Sequence, residues 1–218
     1  MRRLLYDKLL TWKERENRKP LILKGVRQCG KTFLLREFGE KNYADVAYFN
    51  FEGNTALRER FAFDLDVRRI VAELSILRNR KIDPAETLLI FDEVQFCNEA
   101  LVSLKYFCEE MPEQHVVCAG SLIGIALSKS LSFPVGKVSF LTLRPMNFFE
   151  FLMAHNEDML CDYLKTLSSN EKVSDLFVPK MESHFRNYVI TGGMPEAVGR
   201  CGAASQNGQT AKSRCFAY

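Results

Sequence analysis

Apolar residues fall along this chain in two rhythms, one of period near 3.6 and one of short unbroken runs, and their succession predicts alternating helices and strands. Near the start, Leu4, Leu5, Leu9, Leu10 and Trp12 stand among charges at the spacing of an amphipathic helix. Pro20-Leu21-Ile22-Leu23-Lys24 reads as a short buried strand stopping at Gly25, and Lys31 to Phe38 reads as the helix after it. Asp45 to Phe51 is a second expected strand, followed by a helix from Val67 to Arg80 with Ile70, Val71, Leu74 and Leu77 on one face. After the turn signal Asp83-Pro84, the run Thr87 to Phe91 has the continuous apolar character of a central parallel strand covered on both faces. A helix from Glu99 to Met111 and strands at His115 to Ala119 and Val138 to Leu143 complete the alternation.

The expected fold is therefore α/β: a doubly wound, mainly parallel sheet with helices on both faces. From Met146 the pattern turns helical, with Phe148, Phe149, Phe151 and Leu152 opening one element and Met181 to Ile190 forming a later one. From Gly199 the composition shifts to Gly, Ala, Ser, Gln and Asn with no apolar period. The organisation this predicts is an amphipathic helix at 1–19, a core at 20–145, a helical extension at 146–200 and a poorly ordered tail at 201–218. No internal repeat of solenoid period is visible.

Composition changes this picture little. With 218 residues, 47% of them hydrophobic, the chain can bury a core of its own. A net charge of +3 does not by itself imply nucleic acid, but residues 1–41 hold twelve Lys/Arg against five Asp/Glu. Part of that excess, Lys24, Arg27 and Lys31, lies in or beside a glycine loop; the rest reads as a solvated helix face, with a nucleic-acid or partner surface as the alternative. The seven cysteines, Cys29, Cys97, Cys108, Cys118, Cys161, Cys201 and Cys215, include no C-x-x-C pair or zinc spacing, which suits a reducing compartment. No signal-peptide pattern opens the chain, and no apolar stretch approaches the ~20 residues of a membrane span. A cytoplasmic location is expected.

The chemistry concentrates at strand ends. Gly25-Val26-Arg27-Gln28-Cys29-Gly30-Lys31-Thr32 matches G-x-x-x-x-G-K-[ST] between an expected strand and an expected helix. In such a P-loop the glycines let backbone N–H groups turn inward on phosphate oxygens, and the helix N-terminus adds positive potential. Lys31 is expected on the β and γ phosphates and the Thr32 hydroxyl on magnesium. Asp92-Glu93 close the apolar run at the carboxyl edge of the sheet, where open α/β sheets bind ligands. Asp92 is expected to hold magnesium through water, and Glu93 to be the base for the attacking water. Ser121 follows the strand Val116 to Ala119 and is placed either to sense the γ-phosphate or orient water, as a catalytic residue, or to cap the next helix. Asn50, Gln95 and Arg144 also stand near strand ends, Arg144 with the alternatives of a phosphate-facing finger and a surface arginine.

Beyond these motifs, the chain resembles the AAA-type P-loop ATPases of bacteria and archaea that join an N-terminal ATPase domain to a C-terminal domain of unknown function. The resemblance rests on Arg18 to Leu23, Gly25 to Gln28, Ile82-Asp83-Pro84, Leu88 to Gln95, Ala119-Gly120-Ser121, Phe133 to Lys137, Arg144-Pro145-Met146, Phe149 to Leu152 and Gly192 to Ala197. It implies ATP as the nucleotide, magnesium at Thr32 and Asp92, and water activation at Glu93; no Asn-Lys-x-Asp guanine-reading motif occurs. Cys29 stands where the family usually has a small aliphatic residue, so an exposed Cys29 beside Lys31 would make the loop sensitive to oxidation. Such proteins continue past Ala197 with a further domain, so this chain is expected to be truncated or frame-shifted. The readings carried forward are an ATPase coupling hydrolysis to a conformational change in a protein partner, a nucleotide switch with negligible turnover, and a nucleic-acid-associated ATPase. Self-association is open in all three.

Overall fold

The computed structural model describes residues 1–121, 136–168 and 171–206, the last six by backbone alone. Phe133-Pro134-Val135 and the expected tail from 207, with Cys215, lie outside the described residues. The chain forms two compact units, Leu5–Leu143 and Met1–Leu4 with Arg144 onward. The opening helix is thus a part of the first unit, whereas the expected organisation set residues 1–19 apart.

The first unit is built on a five-stranded sheet in the order β2-β3-β4-β1-β5, and all four pairings are parallel. Its strands are β1 (Leu21–Lys24), β2 (Asp45–Asn50), β3 (Thr87–Asp92), β4 (Val116–Gly120) and β5 (Ser139–Thr142). Before them comes α1 (Leu5–Lys13), and between them run α2 (Lys31–Asn42), α3 (Thr55–Phe63), α4 (Val67–Leu77) and α5 (Asn98–Glu110). The chain leaves β1 through α2 to reach the far edge at β2, then returns through α3, α4 and α5 to β4. Because crossovers keep one hand, reversing the direction of travel changes the face on which the helices lie.

Alternation along each strand divides the core accordingly. Leu21, Leu23, Leu88, Ile90, Val117 and Ala119 pack with Leu9 and Trp12 of α1 and Leu34, Leu35 and Phe38 of α2. Ile22, Leu89, Phe91, Val116 and Cys118 pack on the other face with Leu57, Phe61, Ile70, Leu74, Leu104 and Phe107 of α3, α4 and α5. Phe91 meets Phe51, Phe61 and Phe107 edge to face at this face's centre. Every residue of β3 is buried, which explains its unbroken apolar run. Helix α3 escapes the apolar pattern because only Leu57 and Phe61 are buried in it; the Asn54 side chain starts it by accepting from the Leu57 N–H at 3.0 Å.

The second unit is helical: α6 (Phe148–Ala154), α7 (Asp158–Thr166), α8 (Val178–Thr191) and α9 (Pro195–Gln206). Asn147 and Glu150 form a reciprocal capping box at the start of α6. The other oxygen of Glu150 accepts from Arg3 Nε at 3.1 Å and from the Leu4 N–H at 2.8 Å, which ties the first four residues to this unit. Gly193 sits at φ 68°, and a Cβ there would lie 2.2 Å from the Met146 carbonyl oxygen, so the Gly192-Gly193 turn admits no side chain at its second position. Helix α9 carries the backbone to Gln206, so residues 201–206 are helical where an irregular tail was expected.

Candidate functional site

The loop from Gly25 to Gly30 joins the carboxyl end of β1 to the start of α2. A Cβ on Gly25 would lie 2.4 Å from the Leu143 carbonyl oxygen and 3.0 Å from Cys29 Sγ, so the chain passes here only as glycine. Gln28 and Gly30 both take positive φ, 61° and 90°. Two such residues within three positions curl the loop back above the helix, at a cost of about 1 kcal/mol for the non-glycine Gln28. Val26, Arg27 and Gln28 are exposed at the loop's crest. Cys29 is fully buried, and its thiol faces the Leu143 carbonyl oxygen at 3.6 Å. The exposure on which oxidation sensitivity at Cys29 depended is therefore absent: the residue fills the space under the loop as a small apolar group.

Helix α2 starts at Gly30 with no side-chain cap and no acid in its first turn. A first turn left without a carboxylate keeps its N–H groups and dipole for an external anion. Lys31 opens that turn and is only 6% exposed. Its Nζ donates to the carbonyl oxygens of Gly25 at 3.0 Å and Val26 at 2.8 Å, and to Ser121 Oγ at 3.4 Å. Among the described residues no carboxylate pairs with this ammonium. A buried cation held only by neutral oxygens is unfavourable on its own and fits an anionic ligand.

Asp92 is the last residue of β3 and Glu93 follows it, two strands from β1. Asp92 is 2% exposed and its charge is met by three donors. Thr32 Oγ1 donates to Oδ2 at 2.7 Å, the Tyr48 hydroxyl to the same oxygen at 2.8 Å, and the Glu93 N–H to Oδ1 at 3.0 Å. With its proton committed to Asp92, the Thr32 hydroxyl keeps its lone pairs, so hydroxyl and carboxylate together form a hard oxygen set of the kind magnesium takes. Burial, and next the bond to Asp92 and its charge, push the Tyr48 phenol up to about 12. Glu93 sits at φ 50°, ψ 41°, a left-handed conformation rare outside glycine, and is partly exposed. Gln95, in the 3₁₀ turn Val94–Phe96, donates from Nε2 to Glu93 Oε2.

The structure thus brings Gly25, Val26, Lys31 and Ser121 into one hydrogen-bonded group, and Thr32, Asp92 and Glu93 into another that is continuous with it through α2. Ser121 meets the lysine instead of the acidic pair because β4 separates β3 from β1. Asn50, paired with Asp92 across β2 and β3, turns its Oδ1 to the Glu52 N–H at 2.8 Å and so closes a local turn. Arg144 is exposed, and its carbonyl oxygen accepts from Arg3. Tyr48 and Arg36, whose guanidinium lies 3.8 Å over the Tyr48 ring, were not singled out by the sequence. The available signal was slight: Arg36 lies one helical turn beyond Thr32, and Tyr48 carries a polar tip in an apolar strand.

Residues 17–152 match the model of a family described as an AAA domain. A search of curated proteins finds no match. Among solved structures, the chain is similar to ORC2 of Aeropyrum pernix in ADPNP-ADP complexes, at 14% identity and TM-score 0.53, over 95% of this chain and 64% of that one. It is also similar to PCH-2 of C. elegans, at 14% identity and TM-score 0.48, over 92% of this chain and 59% of that one. The chain therefore spans less than two thirds of the length of either, and at these identities the likeness to ORC2 is one of fold.

Proposed function

The chain belongs to the AAA domain family, with the nucleotide-binding, ATPase-type function of that family, and from this premise we propose that it is a magnesium-dependent ATPase whose site is the cluster around Lys31 and Asp92. The observation that carries the reading is the Lys31 ammonium, buried at the uncapped start of α2 with neutral partners only among the described residues. The β and γ phosphates of ATP supply the charge that this ammonium lacks, and the loop N–H groups between Gly25 and Thr32 hold the remaining phosphate oxygens. Thr32 and Asp92 would hold magnesium, which when bound draws negative charge from the phosphate oxygens and lowers the barrier to attack. Glu93 is the base: one carboxylate oxygen is taken by Gln95, and the other is left to accept a proton from water. Ser121 steadies the Lys31 ammonium and acts through it.

Coupling of the nucleotide cycle to a conformational change in a partner follows from the same reading. Binding and turnover separate in one experiment. Glu93→Gln keeps the shape and the bond to Gln95 while removing the base, so ATP binding persists and phosphate release falls by about a hundredfold or more. Undiminished release by the variant refutes the role given to Glu93, and negligible release by the parent chain with retained binding makes the protein a nucleotide switch.

A further inference from the structure

Asp92 Oδ2 accepts two hydrogen bonds, and the two donors are not equivalent. One is Thr32, itself a proposed ligand of the ion; the other is Tyr48, which belongs to the neighbouring strand. The parallel register pairs Tyr48 with Ile90 and Asn50 with Asp92, so Tyr48 stands two residues before the acid on the face covered by α2. From that face Arg36 lies over its ring at 3.8 Å, one helical turn beyond Thr32. The ring is thereby fixed from above, and its hydroxyl reaches Asp92 at 2.8 Å.

We infer that Tyr48 is a positioning residue for the magnesium site: its hydroxyl fixes the rotation of the Asp92 carboxylate independently of Thr32. The inference rests on the reading of Thr32 and Asp92 as the residues that hold the ion. A ligating carboxylate performs best when the lone pairs not given to the metal are held by outer hydrogen bonds. Thr32 supplies one such bond but is drawn toward the ion itself, and the Glu93 N–H restrains only Oδ1. Tyr48 is the donor on Oδ2 whose position does not depend on the ion. It also ties β2 and, through Arg36, the solvent side of α2 to the ligand geometry, so movement of either element reaches the metal through this hydroxyl.

Tyr48→Phe removes one oxygen while keeping the ring and the Arg36 contact, which isolates the hydroxyl from packing. The measurement is ATP affinity by isothermal titration calorimetry across a MgCl2 series that includes a magnesium-free point with EDTA. In the parent chain, affinity rises with magnesium; in the variant, the magnesium concentration giving half of that rise increases about tenfold, the low end of the usual effect of removing an outer-shell partner. Magnesium-free affinity is expected to be equal in the two chains. An unchanged half-point overturns the inference, as does an equal loss of affinity with and without magnesium, which would make Tyr48 a support for the loop. If the parent chain's own affinity is indifferent to magnesium, the proposed magnesium site fails first, and the inference with it.

Discussion

Replacing Lys31 by methionine separates the functional from the structural meaning of the buried ammonium. The side chain is 6% exposed and donates to Gly25 O, Val26 O and Ser121 Oγ at 3.0, 2.8 and 3.4 Å. Were it a structural clasp, its loss would cost about 3 kcal/mol or more, the usual result of breaking a buried charged network. Here its acceptors are neutral, Val26 is exposed and Gly25 partly so, so water can take over those carbonyls, while burial of an ion without a counter-ion costs several kcal/mol in its own right. The two terms offset, and nucleotide-free Lys31→Met is expected within about 1 kcal/mol of the parent chain in urea. ATP affinity behaves differently. Losing a charge-assisted contact to phosphate costs roughly 3 kcal/mol, close to a hundredfold in Kd. At an ATP concentration of about 100 times the parent Kd, ligand stabilisation is ~2.7 kcal/mol for the parent and ~0.4 kcal/mol for the variant. A melt with and without ATP therefore shows a rise of roughly 5–10 °C in the parent and about 1 °C in the variant. A nucleotide-free variant destabilised by more than about 2 kcal/mol, or one that keeps the parent's ATP shift, refutes the reasoning.

Two further outcomes test the framework around the site. His115 is pushed down to about 4 by burial and then by the charges of Arg18 and Lys13, and its Nδ1 shares a hydrogen bond with the Tyr43 hydroxyl at 2.6 Å. With a folded-state pKa below the ordinary 6.5, the unfolded chain binds more protons between those values, so this contribution is whole above pH ~6.5 and is lost as pH falls toward 4; urea melts should show about 1–2 kcal/mol lost by pH 5, and His115→Gln should flatten that slope. Glu150→Ala removes the carboxylate that accepts from Arg3, Leu4 and Asn147, at a cost of about 3 kcal/mol read from the hydrogen exchange of the Leu4 and Asn147 amides; a loss below about 1 kcal/mol would show the clamp to be unimportant.

What the sequence made legible was whatever a local pattern encodes. The unbroken run Thr87 to Phe91 announced a strand buried on both faces, and the glycines and lysine of Gly25 to Thr32 announced the loop, because in each the constraint acts on consecutive residues. Helices α3, α7 and α9 left weaker traces. Leu57 and Phe61 are the buried residues of α3, and Leu160 and Cys161 those of α7, too few to set a period. Helix α9 holds Gly199 and small polar residues that resemble a loop by composition. The sheet order, with β1 between β4 and β5, is a property of distant pairings that no local window contains. Tyr48 belongs to that same class, since its meeting with Asp92 depends on the register of β2 against β3. Cys29 shows the opposite limit: its place in the motif was plain, but the direction of its side chain was set by the Leu143 backbone more than a hundred residues later.

The central claim is that the loop and Lys31 recognise the phosphate chain of a nucleotide, and calorimetric titration with ATP, ADP, AMP and adenosine under one magnesium-containing buffer tests it most directly. ATP and ADP should bind saturably at the site, and AMP and adenosine at least about a hundredfold more weakly, because the charge that satisfies Lys31 comes from the β and γ phosphates. Equal affinity for AMP and ATP, or no binding of ATP, would contradict the account.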